Sequence, residues 1–309
     1  MENRKDRVSY QMILIDLKQV MVANLHQQLK GHTNAKLDEG MLRHMVLNSL
    51  RAYNVKNRKK YGQMVIACDS RGSWRRELFP YYKARRKIAR QKSDLDWDTI
   101  NLSMDNIKLD LAKFFPYRVI EIDGCEADDV IGTLCHKFGS KPICDDMDFG
   151  YGMPGSSDED ILIVSGDKDF KQLCIYDNVA ILDPITKIVK TVNDPNGFLF
   201  ELILRGDASD DIPNVLSPGD SFVTGTRQKQ LRQTKIDELK DTDKVNWPVE
   251  ILENFHRNEV LIDLTKVPTE MQTKILAKYD EQGGKGRSHL FNYMAKNGLG
   301  ELMENLQDF

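Results

Sequence analysis

Five short acidic motifs, each at or just beyond an apolar run, constrain this chain more than any other feature of its 309 residues. They are Ile13–Asp16, Val65–Asp69, Glu126-Ala127-Asp128-Asp129, Ser165-Gly166-Asp167-Lys168-Asp169 and Gly206-Asp207-Ala208-Ser209-Asp210-Asp211. Three of the runs read as buried strands, since unbroken apolar stretches suit a strand covered on both faces. Carboxylates at the C-terminal ends of parallel strands converge on one crevice, where open α/β sheets bind their ligands. So many negative charges cannot share a crevice without cations between them. Divalent metal is the simplest reading, and metal beside carboxylates points to phosphate chemistry.

Strand and helix patterns alternate through residues 1–192. Met12–Leu17, Gln63–Cys68, Tyr117–Ile122 and Ile161–Ser165 read as strands, and Leu37–Tyr53, Leu102–Phe115, Cys125–Phe138 and the short Phe170–Ile175 as helices. Val179–Leu182 and Lys187–Val192 read as a hairpin at the sheet edge. The expected fold class is α/β, a mostly parallel central sheet flanked by helices. From residue 193 the strand pattern stops. Phe198–Leu204, Arg227–Leu239, Val249–Asn254, Glu270–Lys278, Ser288–Lys296 and Gly300–Leu306 read as helices, so a smaller helical domain is expected over 193–309. Lys141–Asp160 and Asp94–Asp98 read as loops, the first as a solvated insertion.

Several function classes drop out on composition. No apolar stretch approaches the roughly 18–20 residues that span a bilayer. Met1–Ser9 is charged and lacks the apolar centre of a signal peptide, so an intracellular chain is expected. The five cysteines (68, 125, 135, 144 and 174) show no CxxC spacing and read as reduced thiols. The six histidines fit no cluster, and no Ser or Cys sits in a nucleophile motif.

Each acidic motif also has an ordinary explanation. A lone Asp at a strand end, such as Asp16 or Asp69, is more often a cap or turn residue. On a first helical turn Glu126 and Asp129 point roughly together, with Asp128 to the side. The helix dipole accounts for one or two such acids comfortably, and for three less well. Asp167 and Asp169 share a face if extended, and otherwise form a turn. Gly206–Asp211 reads equally as an exposed turn with a cap. Taken jointly, five such clusters in series at strand ends favour shared metal binding.

The segment from Arg71 to Lys92 carries nine basic residues (Arg71, Arg75, Arg76, Lys83, Arg85, Arg86, Lys87, Arg90 and Lys92) against one acid, Glu77. Trp74, Phe79, Tyr81 and Tyr82 are interleaved. Cations meeting phosphates and rings meeting bases suit a polynucleotide; a solvated basic helix is the alternative. The segment directly follows Asp69 and must leave the rim of the acidic crevice.

In this order, Asp16, Asp69, Tyr82-Lys83-x-x-Arg86, Glu126-Ala127-Asp128-Asp129, Asp167-x-Asp169-Phe170 and Gly206-Asp207-x-x-Asp210 resemble the flap endonuclease and 5′ nuclease family. Asn258–Pro268 and the ending Leu306–Phe309 resemble its phage ribonuclease H members, so the likeness runs nearly end to end. The resemblance implies a metal-dependent 5′ to 3′ exonuclease and flap endonuclease. Such an enzyme hydrolyses RNA in RNA–DNA hybrids and DNA 5′ ends, and removes RNA primers during phage replication in the host cytoplasm. It implies a monomer with two Mg²⁺ ions, Mn²⁺ being the alternative metal. One ion would lie at Asp16, Asp69, Glu126 and Asp128, the other at Asp129, Asp167, Asp169, Asp207 and Asp210. The implied catalytic cations are Lys83 and Arg86, in a basic arch over 71–93 that admits the 5′ strand, with Tyr82 stacking or packing nearby. Arg75, Arg76, Arg85, Lys87, Arg90 and Lys92 complete the implied nucleic-acid contacts, and the helical domain would hold duplex DNA. A single-stranded DNA-binding protein and a sliding clamp are the implied protein partners. Two departures stand out: Asp211 occupies a usual Asn position, and residues 212–221 lack the Gly-x-Gly that accompanies a potassium site. The rival readings are a PIN-like nuclease acting on structured RNA, which needs no arch, and a non-catalytic nucleic-acid scaffold.

Overall fold

The computed structural model describes residues 11–29, 38–92, 95–140 and 161–309. β1 (Met12–Asp16) runs directly into α1 (Leu17–Leu29), a helix missing from the sequence expectation. Its buried Leu17, Val20, Met21 and Leu25 do repeat at helical spacing. No Gly or Pro separates strand from helix, so the usual boundary marker is absent. α2 (Glu39–Tyr61), capped by Asp38, outruns the expected 37–53, and β2 (Gln63–Ala67) follows. Two short helices, α3 (Arg75–Leu78) and α4 (Ala84–Gln91), make up most of the basic segment. α5 (Trp97–Phe114) starts five residues earlier than expected, because Asp96 caps it by accepting from the Thr99 amide.

β3 (Arg118–Ile120), α6 (Ala127–Phe138) and β4 (Ile161–Val164) come next. A 3₁₀ turn over Asp169–Ile175 leads into β5 (Val179–Leu182) and β6 (Val189–Lys190). The sheet order is β3-β2-β1-β4-β5-β6, with β6 antiparallel and the rest parallel. The chain builds outward from β1 to β2 and β3, then crosses back to place β4 on the other side of β1. That reversal opens a crevice at the carboxyl ends of β1 and β4, and three of the acidic motifs end there.

The remaining helices are α7 (Pro195–Arg205), α8 (Ser221–Thr224), α9 (Gln233–Asp241), α10 (Val249–Ile262), α11 (Thr269–Glu281), α12 (Leu290–Lys296) and α13 (Gly300–Met303). α10 runs past its expected end at Asn254 because its asparagines are used inside the fold. Asn258, fully buried, donates to the carbonyls of Ile203 and Pro213, both at 2.9 Å. The helices of this half contribute to three apolar clusters. α7, α9 and α10 share a core that also takes in Phe79 and Tyr82 of the basic segment. α11 packs through Ile275 on the sheet face covered by α6. α12, α13 and the terminal Phe309 return to the opposite face, where Phe309 meets Phe115.

Among the described residues no helix is long and apolar enough to cross a membrane. Cys68, Cys125, Cys135 and Cys174 are free thiols. Cys144 and the loop expected over Lys141–Asp160 lie outside the described residues.

Candidate active site

Asp16 ends β1 at the floor of the crevice, accepting from the Gln19 amide (3.1 Å) and from Ser165 Oγ (3.2 Å). Burial, then the charges of Asp69 and Asp167, raise its carboxyl to about 7. Asp69, just past β2, takes the Ala127 amide at 2.8 Å and the Lys18 ammonium at 2.6 Å. Asp128, in the first turn of α6, is held well above the usual carboxylate range by burial, with Asp167, Asp16 and Glu126 adding to the shift against Lys83. Asp167 accepts the Asp169 amide at 2.9 Å. Asp169 is pushed up to about 8 by burial and by Asp167, Asp207 and Asp210, and its Oδ1 is buried with no hydrogen-bond partner.

The rim is built differently. Gly206 starts the turn that carries Asp207, Asp210 and Asp211, with φ +67°. A Cβ there would run into the carbonyls of Ile212 and Pro213, so glycine is required on both counts. Asp207 pairs with Lys168 at 2.9 Å and accepts from the amide and hydroxyl of Ser209. Asp210 pairs with Arg86 at 2.7 Å and Lys83 at 3.4 Å, and its backbone carbonyl accepts the Lys83 amide. Lys83 itself has φ 54° and reaches Glu126 at 2.5 Å. Burial raises the Glu126 carboxyl, but Lys83, Arg75 and the Tyr82 hydroxyl outweigh it and carry the group to about 2.

Asp129 and Arg75 meet partners other than those expected, and of the two roles expected for Tyr82 the structure shows packing. Asp129 turns to Arg75 and away from the crevice, whereas Glu126 reaches Arg75 on one side and lines the crevice cavity beside Lys83 on the other. The Arg75 guanidinium, almost fully buried, lies 2.8 Å from Asp129 and 3.3 Å from Glu126 and donates to the Leu261 carbonyl. Asp129 also takes Trp74 Nε1 and the Glu126 amide, completing a capping box. In this structure Asp129 and Arg75 hold each other, buried. Asp128, expected to the side, is the α6 carboxylate coupled to the floor. The Tyr82 ring is 2% exposed, with its hydroxyl donating to Glu126 (2.8 Å) and lying 3.1 Å from Asp210. It packs; it has no free face for a base.

The exposed Arg76 and Arg86 line the crevice cavity, and Lys92 is exposed beyond α4. Arg85 pairs with Asp211 and lies over the Phe222 ring. Lys87 and Arg90 fall on α4, with side chains outside the described residues. The sequence reading missed Lys18 and Lys168, although each sits within two residues of a floor carboxylate. Among the described residues no three of these carboxylates close on one point; ammonium and guanidinium groups stand between them. The donor set still suits hard divalent cations. It is all carboxylate, Asp169 presents a buried oxygen without a partner, and mutual repulsion burdens Asp16, Asp128 and Asp169 until a cation relieves it.

Residues 11–199 match a family described as the 5′-3′ exonuclease, N-terminal resolvase-like domain, and residues 198–309 match the C-terminal domain of T4 RNase H. The ribonuclease H of Enterobacteria phage T4 is 30% identical across 96% of this chain and 95% of its own length. DNA polymerase I of Caldicellulosiruptor bescii is 28% identical over 60% of the chain, which spans 21% of the polymerase. Among solved structures, T5 5′-exonuclease with bound zinc aligns at a TM-score of 0.55, with 15% identity, over 88% of this chain and 99% of that one. A complex of T5 flap endonuclease with DNA and metal ions aligns at 0.53, with 16% identity, over 88% and 98%. The two T5 structures share the fold.

Proposed function

The chain belongs to the 5′–3′ exonuclease family and is a nuclease that hydrolyses phosphodiester bonds, and from that premise we propose how this site does it. The substrates are RNA–DNA hybrids and branched or flapped DNA, attacked from 5′ ends, and the cellular role is removal of RNA primers during phage replication in the host cytoplasm. The observation that supports this reading is the crevice itself: carboxylates end the strands at the switch point of the sheet, and Asp69 and Glu126 open onto a cavity that Lys83 and Arg86 also line.

Divalent cations, most simply two Mg²⁺, would be held by Asp16, Asp69 and Asp128 on one side and by Asp167, Asp169, Asp207 and Asp210 on the other. When bound they activate water and offset phosphate charge. The chain's own residues do the rest. Lys83 and Arg86, now paired with Glu126 and Asp210, are poised to exchange a carboxylate for a phosphate oxygen and to stabilise charge that grows there. Glu126, held ionised near 2 by its neighbours, keeps the Lys83 ammonium charged and aimed. Asp129 and Arg75 lock the first turn of α6, which positions Asp128. Arg76 and Lys92 add charge along the path of the strand. A single-stranded DNA-binding protein and a sliding clamp are the proposed protein partners.

One gel tests the reading. Incubate 5′-labelled hybrid, flap and blunt duplex substrates with the protein and either Mg²⁺ or chelator. Metal-dependent cleavage from the 5′ side is expected on hybrid and flap. Cleavage that survives chelation, or that starts from 3′ ends, defeats the proposal.

A further inference from the structure

The cavity that Asp69 and Glu126 open onto has two unlike walls, and the chemistry above uses only one. It encloses about 890 Å³ between the basic segment and the N-terminal half of α5. One wall carries Arg76, Lys83 and Arg86; the other carries Met21, Leu95, Trp97 and Met104. Met21 belongs to the core shared by α1, α2 and α5, and Leu95, Trp97 and Met104 pack against it partly buried, so this wall is held in place from behind. Trp97 opens α5 directly after the capping Asp96, whose carboxylate takes both the amide and hydroxyl of Thr99. Asp96, Asp98 and Asp105 flank the apolar side chains.

This distribution orients a ligand. Phosphates are drawn to the cationic wall and repelled by Asp96 and Asp98 beside α5, while Asp105 is paired with Lys108. A single-stranded nucleotide has the same division, with charge along its backbone and a flat apolar face on its base. Tyr82 has no face to offer that base. Trp97 is the aromatic ring that lines the cavity among the described residues.

We propose that the α5 wall is a nucleobase subsite, where Trp97 stacks on one unpaired base of the strand whose phosphates run along the basic wall. The proposal rests on the nuclease reading and adds a contact to it. Stacking tolerates any base, so the subsite holds the strand in register without reading its sequence. Asn101, one helical turn beyond Trp97 on the same wall, offers an amide to the edge of that base.

The test walks a single abasic nucleotide along the unpaired 5′ strand of a flap substrate. Affinity is measured by fluorescence anisotropy in chelator, for wild type, Trp97→Ala, Trp97→Leu and Trp97→Phe. In wild type the abasic lesion should cost roughly tenfold at one position and little elsewhere, the scale of one base–aromatic stack. That positional penalty should vanish in Trp97→Ala and Trp97→Leu and largely return in Trp97→Phe. Leucine keeps the packing without the ring, so it carries the test if the alanine variant does not fold. A flat profile in wild type, or a penalty that survives in Trp97→Leu, overturns the proposal. Wild-type cleavage of the intact flap with Mg²⁺ is run beside it. Loss of that cleavage defeats the nuclease reading; intact cleavage with no Trp97-dependent penalty defeats this inference alone.

Discussion

Asp169 on the floor and Glu126 on the rim are both largely buried carboxylates, yet their environments move them in opposite directions. Asp169 is pushed up to about 8, because burial is compounded by Asp167, Asp207 and Asp210. Glu126 falls to about 2, because Lys83 and Arg75 more than offset the same burial. Among the described residues the floor carboxylates make one ion pair, Lys18 with Asp69, and feel Lys83 and Lys168 only at longer range, whereas the rim is paired directly with Lys83, Arg86, Lys168 and Arg85. A buried carboxylate needs compensation from somewhere. On the rim the sequence provides it, so Glu126 positions Lys83, and Asp207 and Asp210 already hold cations of the protein's own that an ion would displace. On the floor such pairs are scarcer, which is why we propose those acids as ion ligands. The two acids of α6 differ in their partners, Asp129 pairing with Arg75 and Asp128 facing the floor, although burial raises both carboxyls.

The largest effect should follow from removing a floor charge. Asp128→Asn is expected to lower single-turnover cleavage by roughly 10³-fold or more while leaving DNA affinity intact. Because it also removes repulsion, it should melt no lower than wild type in chelator. Near-normal turnover at saturating Mg²⁺ would break the distinction between floor and rim. Lys83→Ala and Arg86→Ala come next, each with a loss of roughly 10²-fold in cleavage at saturation, the scale of one transition-state charge contact. If Lys83→Ala weakened binding alone, Lys83 would be a phosphate-positioning residue. For both, melting curves separate a lost contact from a lost fold, since Lys83 is itself buried.

Asp129→Asn should act on stability instead. Removing one member of a buried ion pair typically costs about 3–5 kcal/mol. Asparagine keeps an acceptor for Trp74 and the capping box, which places the expected cost toward the lower end. Denaturant melts report the loss, and cleavage by the folded fraction should stay within a few fold of wild type. Abolished cleavage without a fall in stability would return Asp129 to the ion ligands, where the family pattern alone had put it.

That correction marks where the sequence stops being legible. The strands and the crevice followed from apolar runs, because a buried parallel strand leaves little freedom in what it can be; the order of the strands did not. Asp16, Asp69, Asp167 and Asp169 could be placed because each is fixed to a strand end. Asp128 and Asp129 could not be told apart, since both sit on one helical turn and only the position of Arg75 decides which faces inward. Arg75 and Tyr82 looked like surface contacts in a basic, aromatic run; their burial depends on α7 and α10, far away in sequence, closing over them. α1 was missed for lack of a boundary residue, and α10 was cut short by asparagines whose acceptors are nonlocal.

The smallest effect should come from Asp211, where the rim's compensation is most local. Its φ is 61°, a left-handed conformation that asparagine and aspartate tolerate better than most residues. It is 1% exposed, and its carboxylate takes the Arg85 amide at 2.8 Å and pairs with the Arg85 guanidinium. Arg85 is held twice more, by the Ala208 carbonyl at 2.7 Å and by the Phe222 ring. Asp211→Asn keeps the backbone conformation and an acceptor for the Arg85 amide, and gives up only a charge pair whose arginine is half in water. The expected loss is therefore under about 1 kcal/mol, with cleavage unchanged. Asp211→Ala loses the acceptor as well and adds roughly 1–2 kcal/mol of left-handed strain. The measurement is a denaturant melt of both variants side by side. Equal losses for Asn and Ala would mean that the charge pair, not the backbone turn, holds the arch to the rim, and that even a half-exposed cation does structural work.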